Sequence, residues 1–189
     1  TTAIDAELVG LSFCAEPHKA FYVPVPAERE KAQTIVNIFK PLYESAEILK
    51  IGQNLKYDME VLMGYGVRMA APMFDTMLAH YVLHPEQKHG MDYLADVLLN
   101  YQTVTIDSLI GPKGKTQKPM RDVAPALVCP YAAEDADITL QLYRVLEPQL
   151  REAGAWQLFS EIEMPLVPVL ADMETTGVRI DTQALSDVS

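Results

Sequence analysis

The sequence is poor in cysteine, in long apolar runs and in positive charge. Cys14 and Cys129 are the two cysteines. They are too few for a disulfide framework and have no CxxC zinc spacing, so we expect a reducing compartment, the cytoplasm. No apolar run approaches the roughly 20 residues of a membrane helix, and no signal peptide is visible. A membrane partner is therefore not expected.

Acidic residues outnumber basic ones by 26 to 15, which gives a net charge of −11. A protein that coats duplex DNA by charge alone needs Lys and Arg to neutralise phosphates, and this composition excludes that class. It does not exclude an enzyme that feeds a nucleic-acid end into a small acidic pocket loaded with metal.

The 189 residues, 49% of them hydrophobic, are enough for the core of one domain. The chain opens with Thr1 and stops in a polar run at Ser189, so we expect a segment of a longer protein. Strands are predicted at 8–14, 19–25, 48–52 and 178–181, and helices at 28–45, 54–63, 74–83, 91–99, 130–146 and 160–175. Asp92 is a predicted helix N-cap. This order predicts an α/β domain with a mixed sheet.

Two aspartates fall on the core-facing stripes of predicted helices. Asp58 lies within the apolar stripe of the helix at 54–63. That stripe consists of Leu55, Met59 and Leu62. Asp135 lies three residues before Ile138 and shares its face. The charged residues on these helices that we expect to face solvent are Lys56, Glu60 and Asp137.

A carboxylate on a core-facing stripe must be paired, protonated or bound to a cation. One such Asp is best explained as a loop cap or a partner of Arg or Lys. Two on separate helices, beside Tyr57 and Tyr131, favour a shared site for Mg²⁺ or Mn²⁺, which prefer oxygen ligands. Both interpretations stay open at this point. Tyr131 lies one helical turn before Asp135, where its phenol could position a water molecule.

The stretches around these aspartates also resemble known motifs. Gly52–Asp58 (GQNLKYD) resembles the second exonuclease motif of the bacterial family A DNA polymerases, and Tyr131–Asp137 (YAAEDAD) resembles their third, the Tyr-x-x-x-Asp type. Three further stretches match in the same order: Leu8–Phe13, Phe74–Leu78 and Ile162–Pro168. The chain is therefore similar to the 3′–5′ proofreading domain of that family.

The resemblance implies a ribonuclease-H-like (DEDD exonuclease) α/β fold, a mixed sheet flanked by helices, that holds two Mg²⁺ or Mn²⁺ ions with four carboxylates. Asp135 would bind the first metal and Asp58 the second, and Tyr131 would orient the attacking water. The positions that would contact the terminal nucleotides of single-stranded DNA are Gln53, Asn54 and Tyr57. The implied reaction is two-metal hydrolysis of single-stranded or frayed 3′ ends, which releases nucleoside monophosphates.

The sequence departs from the family at the first motif, an Asp-x-Glu on the strand that precedes Leu8–Phe13. Asp5 and Glu7 have the spacing, but they directly abut the second strand, where the family has a loop. We expect instead that the first strand is absent, that metal binding is weak or absent, and that the 189 residues are nearly inactive alone.

The similarity also predicts the organisation of the chain. Residues 1–158 are expected to form the exonuclease domain, and 159–189 to start the connection to a polymerase domain of the same parent chain. A non-catalytic scaffold of the same fold is the alternative, and the intact carboxylates argue against it. Lys88, in a loop with Gly90, is either a contact to the substrate backbone or a solvated loop residue.

Overall fold

The computed structural model describes residues 3–112, 114 and 116–188. The strands are β1 (Gly10–Glu16), β2 (Lys19–Pro24), β3 (Lys50–Gly52) and β4 (Met73–Asp75). The helices are α1 (Arg29–Tyr43), α2 (Leu55–Met63), α3 (Thr76–Leu83), α4 (Met91–Leu99), α5 (Asp107–Ile110), α6 (Pro125–Glu152), α7 (Met164–Thr176) and α8 (Thr182–Val188). Short 3₁₀ turns cover Ala3–Asp5 and Met120–Asp122, and a π-helical segment covers Leu158–Glu163.

The first two predicted strands pair as an antiparallel hairpin. Leu11 lies opposite Val23, and Phe13 lies opposite Phe21. The turn between them passes through His18, which has a positive φ of 64°. The ring of Phe13 stacks on Phe39 of α1 with centroids 4.7 Å apart, which joins the first helix to the hairpin.

The other two strands pair in parallel, with Ile51 opposite Phe74. The sequence predicted a helix over 74–83, and its first two residues are instead part of β4. The helix begins at Thr76 because Asp75 caps it: the Asp75 carboxylate accepts hydrogen bonds from the N–H groups of Met77 and Leu78. A strand of three residues is too short to show an alternating pattern, so the prediction merged it with the helix.

Helix α6 supplies the centre of the core and contacts both strand pairs, α3 and α4. It is longer than the predicted 130–146 and continues through Pro130 and Pro148. Its inward face carries residues with no exposed surface, Leu142, Leu146 and Leu150. Tyr143 packs edge-on against Phe74 at 4.8 Å between centroids. This helix therefore holds Asp135 at a fixed place relative to both sheets.

The segment after residue 158 packs on the same core. Phe159 is 1% exposed, and its ring lies 4.7 Å from that of Phe74. Met164, Val167 and Ala171 are buried, and α7 lies along α2. The boundary between 158 and 159 stays a prediction.

Two smaller predictions are wrong. Asp92 lies in the first turn of α4 and does not cap it, because the N-cap position belongs to Gly90. Residues 178–181 form no strand and lead into α8, which was not predicted. Among the described residues, none of the helices has both the length and the apolarity needed to cross a membrane.

Candidate active site

The hairpin and the parallel pair are separate two-stranded sheets, and a cavity of about 760 Å³ lies between them. Residues 6–15, which include most of β1, form one wall, and residues 48–53, which include β3, form the other. Asp58 and Asp135 both line this cavity. The structure thus brings together two carboxylates that are 77 positions apart in the sequence.

Asp58 extends from α2, which is anchored in the core through Leu55, Met59 and Leu62. Its side chain faces the cavity and is solvent-accessible, although protein surrounds the cavity. Desolvation by this surrounding protein, together with the negative charge of Asp75, raises the pKa of Asp58 from 3.8 to about 7. A carboxylate in this setting is ready to exchange its proton for a cation.

Tyr131 and Asp135 interact one turn apart on α6. Burial raises the pKa of Asp135 to about 6, which the hydrogen bond from the Tyr131 hydroxyl partly offsets. Burial and the charge of Asp135 raise the pKa of Tyr131. The phenol therefore stays protonated at neutral pH and donates to the carboxylate. Tyr131 itself is half-buried.

The predicted DNA contacts are only partly gathered at the cavity. Gln53 and Tyr57 line it, and Asn54 lies beside them at the N-terminus of α2. Lys88 is exposed on a separate loop and does not line the cavity. That loop is joined to the site because Gln53 Nε2 donates to the carbonyl of His89 at 2.8 Å.

Neither cavity aspartate has an ion pair within residues 3–112, 114 and 116–188. The same part of the chain contains no group of three or more His, Cys, Asp or Glu side chains suited to a metal ion. Glu7 is ion-paired with Arg121 at 2.8 Å, so it is held by a cation of the protein. Asp58 and Asp135 are therefore the available carboxylates of this cavity.

Two other acidic residues differ from the prediction that they face solvent. Glu60 is only 7% exposed, and its carboxyl interacts with Glu174 of α7, because α7 covers that face of α2. The Asp137 side chain is 15% exposed and accepts hydrogen bonds from the N–H of His18 at 2.6 Å and from Gln141 Nε2 at 2.8 Å. A helical pattern alone does not reveal which neighbour covers an outward face.

The sequence reasoning missed Asp75 as a site residue. It is 3% exposed and hydrogen-bonds to the backbone N–H groups of both Asn54 and Leu55, at the start of the helix that carries Asp58. An Asp that precedes the apolar run at 76–83 is a helix-capping signal, and this signal could have identified its local role. The contact with residues 54 and 55 is tertiary and leaves no sequence pattern.

Replacing Asp58 by Asn should stabilise the protein at pH 8 and have no effect near pH 3.5. The folded state binds the Asp58 proton more tightly than the unfolded state, so its contribution to stability falls as pH rises from about 4 to 7. The full shift to a pKa of about 7 would give about 4 kcal/mol at 1.36 kcal/mol per unit. Because the side chain contacts cavity solvent, screening should reduce this to about 1–2 kcal/mol.

Urea unfolding at both pH values measures this effect, with Asp96→Asn, an exposed position on α4, as the matched control. Equal stability of wild type and Asp58→Asn at pH 8 would contradict the raised pKa of Asp58.

Comparisons with known proteins agree with the resemblance of the sequence motifs to 3′–5′ exonucleases. A family model described as a 3′–5′ exonuclease matches residues 1–151. DNA polymerase I of Pseudomonas aeruginosa is 38% identical over 199 residues, which covers 98% of this chain and 22% of that protein. DNA polymerase I of Rhizobium leguminosarum is 41% identical over 216 residues, which covers 100% of this chain and 21% of that protein. The chain thus spans about a fifth of the length of these curated relatives.

The fold is shared with solved nuclease structures. Brucella melitensis NrnC superimposes with a TM-score of 0.70 at 22% identity and covers 89% of this chain and 76% of that one. A structure of the same protein with bound Mg²⁺ gives a TM-score of 0.62 at 20% identity, and the match covers 92% of this chain and 87% of that one. The ribonuclease-H-like α/β fold is therefore confirmed. Motifs, fold and relatives agree, and the chain belongs to the family of 3′–5′ exonuclease domains of bacterial DNA polymerase I.

Proposed function

We propose that this chain binds the single-stranded or frayed 3′ end of DNA on the side of the cavity lined by α2 and α6, where Asp58 and Asp135 take part in hydrolysis of the terminal phosphodiester. The observation that carries the proposal is that both carboxylates line one cavity and neither is ion-paired among the described residues. A structural aspartate would be paired or capping a loop. These two face open space instead.

The donor chemistry fits a hard divalent cation, because both groups are carboxylates with few competing partners. Asp135 would hold one Mg²⁺ or Mn²⁺ ion and Asp58 a second. Ions bound there supply an activated water and stabilise the departing 3′ oxygen. Tyr131, hydrogen-bonded to Asp135, keeps its proton and is suited to orienting the attacking water.

Substrate binding would fall to the residues at the start of α2. Gln53 and Tyr57 line the cavity, and Tyr57 offers an exposed ring on which an unpaired base can stack. Asn54 adds an amide beside them. Lys88, on the loop tied to Gln53 through His89, would reach the phosphate backbone. Contacts from Gln53, Asn54 and Tyr57 would reach splayed nucleotides rather than an intact duplex.

The cavity between the two sheets also suggests where the remaining ligands belong. Adjacent strands are spaced about 4.8 Å apart, and a strand inserted between β1 and β3 would join the two pairs into one mixed sheet. We propose that the Asp-x-Glu of the family occupies this position. With Asp58 and Asp135 alone, two negative charges face the four positive charges of two ions. The 189 residues alone should therefore hydrolyse DNA very slowly.

The exposed face of the C-terminal segment supports a polymerase domain as the neighbour. Large apolar side chains follow one another at helical spacing along 162–173 and are solvent-exposed: Ile162, Leu166, Val169 and Met173. An apolar stripe of this kind marks an interaction surface. We propose that residues 159–189 begin the connection to the polymerase portion of the parent chain and that this stripe faces it. The free thiols of Cys14 and Cys129 are consistent with a cytoplasmic location.

Binding of labelled oligonucleotides tests the substrate proposal. Fluorescence anisotropy should show tighter binding of single-stranded DNA than of blunt duplex. Gln53→Ala should weaken the binding of single-stranded DNA about 3- to 10-fold, as expected for one lost hydrogen bond. Lys88→Ala should lower the salt dependence by about 0.7 in the log–log slope.

Lys31→Ala is the matched control for Lys88→Ala, because Lys31 is exposed on α1 and paired with Glu28. Equal affinity for duplex and single strand, or an equal effect of both lysine variants, would exclude the proposed binding mode.

A further inference from the structure

A single buried carboxylate joins the N-termini of two helices beside the proposed site. Asp75 Oδ1 accepts hydrogen bonds from Met77 N at 2.9 Å and Leu78 N at 3.2 Å, which caps α3. The same oxygen accepts from Asn54 N at 3.2 Å, and Oδ2 accepts from Leu55 N at 2.8 Å. Asp75 has no ion pair within the described residues. Four backbone donors and two helix dipoles stabilise its charge.

The helix that carries Asp58 depends on this contact. Asn54 stands at the N-cap of α2 but makes no side-chain capping hydrogen bond there. Its backbone is left-handed, with φ at 62°, a conformation that few residues other than Gly, Asn and Asp adopt. The hydrogen bonds to Asp75 hold this turn and fix the angle at which α2 leaves β3.

The next residue holds the neighbouring side chain. The Thr76 hydroxyl is fully buried and lies 3.1 Å from the carbonyl of Gly52 and within hydrogen-bond distance of Gln53 Oε1. The other end of the Gln53 amide donates to the carbonyl of His89. Gln53 is therefore held at both ends, and its amide is oriented before any ligand binds.

We infer that Asp75 and Thr76 act together as a positioning clamp for the exonuclease site, with Asp75 setting the place of α2 and Asp58, and Thr76 setting the orientation of Gln53. The inference deepens the proposed function and rests on it. Neither residue contacts the reacting atoms. Both act through the β3–α2 junction, and they separate two tasks: metal binding through Asp58 and substrate binding through Gln53.

Asp75→Asn separates the clamp from simple helix capping. Asn is as good an N-cap as Asp, and its side-chain oxygen can keep the three bonds made by Oδ1. Its amide nitrogen then stands where Oδ2 was and meets the N–H of Leu55, donor against donor. Asp75→Ser keeps a capping oxygen for α3 without adding this repulsion, and it serves as the second variant if Asp75→Asn folds poorly.

We expect faster amide hydrogen exchange at Leu55 in Asp75→Asn, and at both Asn54 and Leu55 in Asp75→Ser, with protection at Met77 and Leu78 unchanged in both variants. Mn²⁺ affinity, measured by electron paramagnetic resonance of the free ion, should fall about 10-fold or more, as is typical when a partner that orients a ligand is lost. Thr76→Val should instead weaken single-stranded DNA binding several-fold, with a smaller change in Mn²⁺ affinity.

Wild-type exchange at Leu55 in both Asp75 variants would overturn the inference and leave Asp75 as a cap of α3 alone. Equal loss of Mn²⁺ and DNA affinity in the Asp75 and Thr76 variants would also overturn the division of tasks. If neither the wild-type chain nor the chain extended by an N-terminal Asp-x-Glu strand binds Mn²⁺, the proposed function fails, while the exchange measurement still decides whether Asp75 holds α2.

Discussion

Fusing a short strand that carries Asp-x-Glu to the N-terminus of this chain should raise the rate of mononucleotide release by about 10³-fold or more. The strand would occupy the space between β1 and β3, leave the side lined by α2 and α6 to the substrate, and add two carboxylates to Asp58 and Asp135. Metal-ion catalysis supplies several kcal/mol of transition-state stabilisation, and each 1.36 kcal/mol is a factor of ten. The assay follows 5′-labelled single-stranded DNA with Mg²⁺ or Mn²⁺.

The matched control is the same strand with Asn-x-Gln, which completes the sheet without adding charge. The control strand should pair with β1 and β3 as the Asp-x-Glu strand does, but the fusion should release mononucleotides hardly faster than the chain alone. Asp135→Asn in the Asp-x-Glu fusion should abolish the increase in rate. If the 189 residues alone are as fast as the fusion, and Asp58→Ala abolishes that rate, then Asp5 and Glu7 supply the missing ligands. That result would contradict the proposed place of the first motif.

Phe159→Ala should destabilise the protein by about 3–5 kcal/mol, the usual cost of deleting a buried aromatic ring. Phe159 is 1% exposed and packs against Phe74 of β4, which precedes the Asp75 clamp. Trp156, the one tryptophan of the sequence, lies 6.0 Å from Phe159 between ring centroids. Its fluorescence can report urea unfolding directly.

Leu158→Ala is the matched control. The Leu158 side chain is next to Phe159 in the sequence but is exposed, so its truncation should change the free energy of unfolding by no more than about 0.5 kcal/mol. The result bears on the predicted boundary at residue 158. A loss below 1 kcal/mol for Phe159→Ala, together with a stably folded 1–158, would mean that 159–189 contributes little to the exonuclease core.

Local patterns predicted much of this fold. The hairpin was predictable because each strand is long enough to show a β pattern and a turn separates them. Helices α2 and α4 were predictable because their apolar stripes are regular and a glycine marks one end of each, Gly64 after α2 and Gly90 before α4. Strand β4 was hidden, since three residues show no period and its strand character comes from pairing with β3.

The candidate site divides along the same line. Asp58 and Asp135 could be identified from the sequence because a carboxylate on the apolar stripe of a helix is costly to bury and therefore stands out in the local pattern. Tyr131 followed from the i, i+4 spacing on α6. Asp75 was missed because its partners, Asn54 and Leu55, lie 20 or more residues away. Glu60 was assigned to solvent because nothing in α2 reveals that α7 covers it.

The central claim is that Asp58 and Asp135 belong to one two-ion site, and paramagnetic Mn²⁺ tests it most directly. In ¹⁵N-labelled protein, amides around Asp58 on α2 and around Asp135 on α6 should broaden together as Mn²⁺ is added. Asp58→Asn should weaken both effects, because it removes one of the two carboxylates of the site, whereas Asp96→Asn should weaken neither. Broadening near one aspartate without the other, or broadening spread over the acidic surface and unchanged in Asp58→Asn, would contradict a shared site.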